Sequence, residues 1–381
     1  MSSEPRRRSI LGRSATLVCA FVAAVAIVPR SAAGLHARAW YSGDVDRQSA
    51  LADSLARRIL EQKEPLFYRT GRLRFDGQSA VAIYQMTLLG LGQIVLDHPE
   101  KKDAYLPAMR LAADRLVDPA TLAYAASVYG HHGARQMNPG EGHAYLGYVN
   151  LGLGMLRSVE PETRHAALHD RITEQLAHRM FASPTGMLET YPGETWPPDV
   201  AAVAGSIGLH ARATGRDRKA ELDAWAERFA KCTILPYGYL VQRSRTGTCI
   251  PVDAPRGSGT AVGSYFLSFA HPGLSRRLAE GLRTTGLRSL LGFSAVREYP
   301  EGFEGHGDGN SGPVLFGVSV GASGFAIGAA RANQDAETFI GLVRTASLFG
   351  VLSRDAGGDT FATGGVLGNA LLLAMLTARP A

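Results

Sequence analysis

Apolar residues recur at intervals of three and four along most of this chain, and that spacing predicts helices almost throughout. Residues 49–61 (SALADSLARRILE) set the pattern, and residues 80–96, 105–116, 145–159 and 164–180 repeat it. The second half continues it at 199–214, 219–230, 261–270, 274–285, 314–330, 336–348 and 364–377. Short connections rich in Gly, Pro and Asn separate these segments, as helical hairpins require. Residues 232–250 (CTILPYGYLVQRSRTGTCI) instead alternate β-branched, aromatic and polar positions around turn residues, which predicts a small β-hairpin. About a dozen helices without coiled-coil heptads predict an all-α fold with paired inner and outer layers, an (α/α)6-type barrel carrying that hairpin as an insert. The glycines of residues 147–154 and 317–328 fit crowded inner helices. Glycine costs a helix about 1 kcal/mol against alanine, and close packing is the natural compensation.

The N-terminus breaks the pattern. Arg6-Arg7-Arg8-Ser9-Ile10-Leu11 has the arrangement of a twin-arginine signal, and a weakly apolar run follows from Ala15 to Val28. That run is shorter than the roughly 20 residues a membrane-spanning helix needs. Small residues end the segment Arg30-Ser31-Ala32-Ala33, so residues 1–33 are expected to be a signal peptide cleaved after Ala33. Residues 34–381 then form a single barrel domain that is periplasmic or secreted, touching a membrane only through its leader.

Composition changes this picture little. With 45% hydrophobic and 19% charged residues, the chain can bury a large core. The leader supplies five arginines against Glu4, so the formal charge of +6 falls to about +2 beyond it. No basic patch with interleaved aromatics stands out, and nucleic acid is not an expected partner. Cys19 lies in the leader; Cys232 and Cys249 remain, either bridged or as two buried thiols. Phosphate loops, dinucleotide fingerprints, nucleophile elbows and zinc-protease helices are missing from the sequence, so no cofactor and no metal is expected. A small molecule is the expected partner, and self-association into a homo-oligomer stays open.

Four stretches compete to carry chemistry. Residues 189–199 (ETYPGETWPPD) gather Tyr191, Glu194, Trp196 and Asp199 in a proline-stiffened loop before a helix, where aromatics can stack on an organic substrate while an acid moves a proton. The alternative is Asp199 as a simple helix cap. Residues 297–310 (REYPEGFEGHGDGN) place Glu298, Glu301, Glu304, His306 and Asp308 among glycines that let the backbone converge them. Asp308-Gly-Asn310 resembles the start of a calcium loop, but Ser319 stands where the twelfth-position acid belongs. Residues 129–148 hold His131, His132, Glu141, His143, Tyr145 and Tyr148, and each histidine alone is more simply structural. Asp76 is better read as a helix cap than as a site residue, with Tyr84 on the helix that follows.

Residues 145–154 (YLGYVNLGLG), then 186–213, then 237–269 resemble in order and spacing the middle of bacterial linalool dehydratase-isomerase. The resemblance thins before Phe67 and after Ser289. It implies an exported, cofactor-free (α/α)6 barrel that dehydrates a tertiary allylic alcohol and isomerises it to a primary one. The family's active-site histidine corresponds to Tyr148, its two cysteines to Thr190 and Asp199, and the proline between them to Pro192. Cys232 and Cys249 lie downstream and are not those cysteines, so any activity here runs without thiols. The resemblance implies a lyase or isomerase in which Asp199 is the general acid or base and Tyr148 orients the substrate hydroxyl. Asp308 and His306 close the opposite wall, and Thr190, Tyr191, Glu194, Trp196, Glu298 and Tyr265 shape the pocket. The competing expectations are a carbohydrate-active barrel using paired carboxylates, as hydrolase or epimerase, and a periplasmic ligand-binding protein without catalysis.

Overall fold

The computed structural model describes residues 31, 33–66, 68, 70–125, 146–309, 311–355 and 357–380. The leader to residue 30, Asn310, and His131, His132, Glu141, His143 and Tyr145 lie outside the described residues.

Twelve of the helices among the described residues build the two layers of the fold, in alternating outer and inner positions. They are α1 (Val45–Glu61), α2 (Leu73–Asp97), α3 (Lys102–Leu116), α4 (Leu146–Val159), α5 (Ala166–Ala182) and α6 (Pro197–Thr214). The second half supplies α7 (Lys219–Thr233), α8 (Gly257–Leu267), α9 (Pro272–Gly281), α10 (Val320–Ala332), α11 (Ala336–Phe349) and α12 (Gly365–Leu376). The even-numbered helices form a closed ring: α2 packs on α4, α4 on α6, α6 on α8, α8 on α10, α10 on α12, and α12 returns to α2. The odd-numbered helices lie outside the ring against these pairs, so the fold is the all-α toroid expected from the helix periodicity.

The two layers differ in sequence because they differ in surroundings. Outer helix α1 buries one stripe, Leu51, Leu55, Ala56 and Ile59, and turns Arg57 and Arg58 outward. Its Asp44 cap accepts from the Arg47 amide at 2.8 Å. Inner helix α2 is apolar on nearly every side and long enough to cross a membrane by composition, but the ring buries it. Glycine lets the inner helices approach. A Cβ on Gly147 of α4 would sit 2.7 Å from the Val203 backbone of α6, and one on Gly205 of α6 would sit 2.5 Å from the Phe266 carbonyl of α8.

The strands fall elsewhere than expected. Among the described residues three antiparallel hairpins are present: β1 (Leu287–Leu290) with β2 (Phe293–Val296), β3 (Val314–Leu315) with β4 (Val318–Ser319), and β5 (Leu352–Asp355) with β6 (Gly358–Phe361). Residues 314–330 are therefore not one helix: β3 and β4 come first, and α10 starts at Val320, capped by Ser319 accepting from the Ala322 amide. Residues 232–250 are not a regular hairpin either. Cys232 and Thr233 finish α7, and the segment then runs through single bridges, Ile234 with Leu240 and Ser244 with both Thr195 and Pro251. Cys232 and Cys249 are joined as a disulfide.

Candidate active site

A cavity of about 370 Å³ opens where the N-terminal ends of the inner helices meet. Its floor is apolar, with Val81, Met86, Val262, Phe266, Phe325, Leu367 and Leu371, and its upper wall is polar. Pro197 and Pro198 start α6 with their fixed φ, placing Asp199 in the first turn with its carboxyl facing the cavity. Tyr148, on the first turn of α4, donates its hydroxyl to Asp199 Oδ1, and Thr190 Oγ1 donates to Oδ2 at 2.8 Å. Asp199 and Tyr148 are half-buried, and both line the cavity. Desolvation pushes the Asp199 pKa up to about 6, against the lowering effects of Tyr148, Thr190 and the nearby Arg74. Desolvation and the adjacent carboxylate push the Tyr148 phenol well above its usual value, so it remains an O–H donor.

A second polar group frames the acid. Arg74 makes two hydrogen bonds to Glu194, at 3.0 and 2.7 Å, and its guanidinium lies 4.0 Å from the centre of the Tyr191 ring. The Trp196 indole donates to Glu194 at 3.0 Å, and Gln78 donates to the Tyr191 hydroxyl at 2.8 Å. Arg74 and Trp196 hydrogen bonds hold the Glu194 pKa below its usual value despite some burial, which makes it a fixed anion rather than a proton carrier.

Asp308 forms the facing wall. It pairs with Arg256, whose other nitrogen donates to Tyr299 at 2.9 Å, and its Oδ1 accepts from the Ser311 amide at 2.8 Å. Asp199 and Asp308 thus line one cavity, with Tyr148, Thr190, Tyr191 and Trp196. Four other expected site residues do not line the cavity: Glu194 sits in the Arg74 cluster beside it, and three stand apart. The His306 side chain is exposed and is not among the cavity-lining residues; its carbonyl accepts from Tyr299 and Arg256. The glycines on either side let the loop turn the imidazole outward. Glu298 is fully buried behind the wall, accepting from Ser258 and Ser319 at 2.6 Å each, and desolvation raises its pKa. Tyr265 is buried in the core and donates to Gln93 at 3.1 Å, facing away from the cavity lining.

Gln78, from the stretch around Asp76, lines the cavity, and Arg74, Arg256, Gln85 and Gln242 line it without having been singled out by sequence. Two carried a signal. Arg74 is the second residue of α2 and Arg256 is the N-cap of α8, positions where the helix dipole disfavours a cation. An arginine placed there has a local reason, in this case Glu194 and Asp308. Asp76, read as a cap, accepts from the Thr70 amide and hydroxyl and pins the loop before α2. Among the described residues no group of three or more His, Cys, Asp or Glu side chains is placed to hold a metal ion.

No protein-family model and no curated protein sequence matches the chain. Among solved structures, a polysaccharide lyase aligns with 81% of this chain and 99% of its own at 13% identity, with a TM-score of 0.37.

Proposed function

We propose that this chain is a lyase or isomerase of the linalool dehydratase-isomerase type, which moves protons on an alcohol or alkenol through Asp199. The observation that carries the reading is the Tyr148–Asp199–Thr190 cluster, a carboxyl of raised pKa at the edge of an apolar cavity. These three residues occupy the positions that the resemblance aligns with the family's catalytic histidine and cysteines. A carboxyl with pKa near 6 is divided between acid and base close to neutral pH, the condition general acid–base catalysis favours. Protonated Asp199 gives its proton to the substrate hydroxyl, the C–O bond breaks, and water leaves. The resulting carboxylate takes a proton from the adjacent carbon, which forms the alkene and restores the acid. Isomerisation returns the water to the far end of the allylic system instead. Tyr148, kept protonated, orients the hydroxyl, and Glu194 stays ionised with Arg74 so that only one carboxyl of this pair carries protons. We further propose that residues 1–33 export a single barrel domain, 34–381, to the periplasm or beyond; the Cys232–Cys249 disulfide supports an oxidising destination.

A carbohydrate-active role is favoured by one feature, the Trp196 indole and two guanidiniums lining the cavity, which suit a uronic acid. Turnover of tertiary allylic alcohols by the wild type and by Asp199→Asn tests the main reading. The wild type is expected to release water and alkene, and Asn to lower kcat by about a hundredfold or more. Thermal stabilisation by uronic-acid oligosaccharides but not by terpenols would overturn it in favour of the sugar reading.

A further inference from the structure

Gln85 has no role in the chemistry above, and its surroundings make it conspicuous. It lies on α2, fully buried, and lines the cavity among Ala82, Met86 and Ser79. Neither its amide nitrogen nor its amide oxygen has a hydrogen-bond partner among the described residues. A buried amide left unmatched costs about 1 to 3 kcal/mol, so an unbound protein that keeps one sacrifices stability.

Its depth separates it from the acid. Gln78, two turns above it on the same face of α2, is bonded to Tyr191, the neighbour of the Thr190 that holds Asp199. Seven residues of helix place the Gln85 backbone about 10 Å below that level. On the neighbouring helix, the Gln85 Cα packs beside Gly152, one turn below Tyr148. One hydroxyl held by Asp199 and Tyr148 therefore does not also meet Gln85. Between the two levels the cavity wall is apolar, with Val81, Val262 and Phe266.

We propose that Gln85 recognises a second, uncharged hydrogen-bonding group on the substrate, a hydroxyl or carbonyl at the end of the molecule remote from the reacting alcohol. This rests on the acid–base reading and narrows its substrate class to bifunctional alcohols. The amide carries both a donor and an acceptor and no charge, which matches a hydroxyl or carbonyl. A carboxylate at that depth would lie buried without a cation, and a purely hydrocarbon tail would leave the amide unmatched.

Linalool and 8-hydroxylinalool share one skeleton and differ by such a terminal hydroxyl. Their dissociation constants are measured calorimetrically on the full chain, on Gln85→Met and on Gln85→Leu. The wild type is expected to bind the diol about tenfold or more tightly than linalool, the worth of one well-placed hydrogen bond. Both variants should lose that ratio while keeping linalool binding within about twofold, since they add only apolar surface. Ligand-free Gln85→Met should also unfold at a temperature equal to or above the wild type's. Equal binding of the two alcohols by the wild type, a preference that survives both substitutions, or a clear fall in the ligand-free melting temperature of Gln85→Met overturns this inference alone. Failure of the wild type to bind either alcohol overturns it together with the acid–base reading.

Discussion

Opposing forces act on the Asp199 carboxyl: loss of water raises its pKa, and Tyr148, Thr190 and Arg74 lower it. If the protonated carboxyl starts the reaction, kcat falls as pH rises through about 6, following a single ionisation. Arg74 tunes that point from a distance. Arg74→Met removes a cation that favours the ionised form, so the descending limb of the pH–rate profile should move to higher pH, and KM should rise as Tyr191 loses the guanidinium stacked on it. A profile that stays in place would mean the limb belongs to another group. At this scale the sequence was half legible. The loop of residues 189–199 stood out because it packs aromatics, prolines and carboxylates into one stretch. Arg74 and Arg256 did not, because their partners lie 120 and 52 residues away. His306 misled, since glycine spacing permits convergence on a site and equally permits a side chain to face solvent.

Elements legible from the sequence were those with a long period. Helix α4 and helix α11 begin and end within one residue of where their apolar spacing does, whereas the hairpins were missed for a local reason. Their turns use Leu291-Gly292 and Phe316-Gly317, with Leu291 and Phe316 both at φ 52°. Asn or Gly ordinarily takes the first of these positions, so an apolar residue there hides the turn, and Phe316 reads as part of the helix expected over 314–330. Residues 232–250 were legible in kind but not in regularity: antiparallel bridges pair Ile234 with Leu240 and Ser244 with Pro251 around two tight turns, too short to make continuous strands, and a disulfide closes the segment. That disulfide has a consequence. It closes a loop of 17 residues that carries Gln242 to the cavity and Ser244 to Thr195. Cross-linking a loop of that length contributes about 3 kcal/mol. Cys249→Ser should therefore lower the melting temperature by several degrees, and reductant should do the same to the wild type while leaving the variant unchanged. Identical melting in both redox conditions would rule out a contribution from the bond.

Across the whole molecule, two desolvated groups in different places make stability depend on pH in opposite directions. Asp199 has its folded pKa raised from 3.8 to about 6, so it favours folding at low pH, and that contribution is lost as pH rises from about 4 to about 6. His169, buried between α5 and α6 beside the His210 ring, has neither ring nitrogen bonded among the described residues. Desolvation, and then His210, lower its pKa from 6.5 to about 3, so its contribution is present above pH 6.5 and is lost as pH falls toward 3. Each group exchanges one proton on unfolding across the shared interval, with slopes of about 1.4 kcal/mol per pH unit and opposite sign. The two slopes offset each other between pH 4 and 6, and removing either group exposes the other. Melting temperatures of Asp199→Asn, taken relative to wild type, should rise with pH across that interval, and those of His169→Leu should fall. A constant packing penalty shifts each series without changing its slope, so the slopes alone decide. Parallel curves for Asp199→Asn and wild type would mean that the carboxyl has an ordinary pKa, and would remove the physical basis for giving it the proton-transfer role.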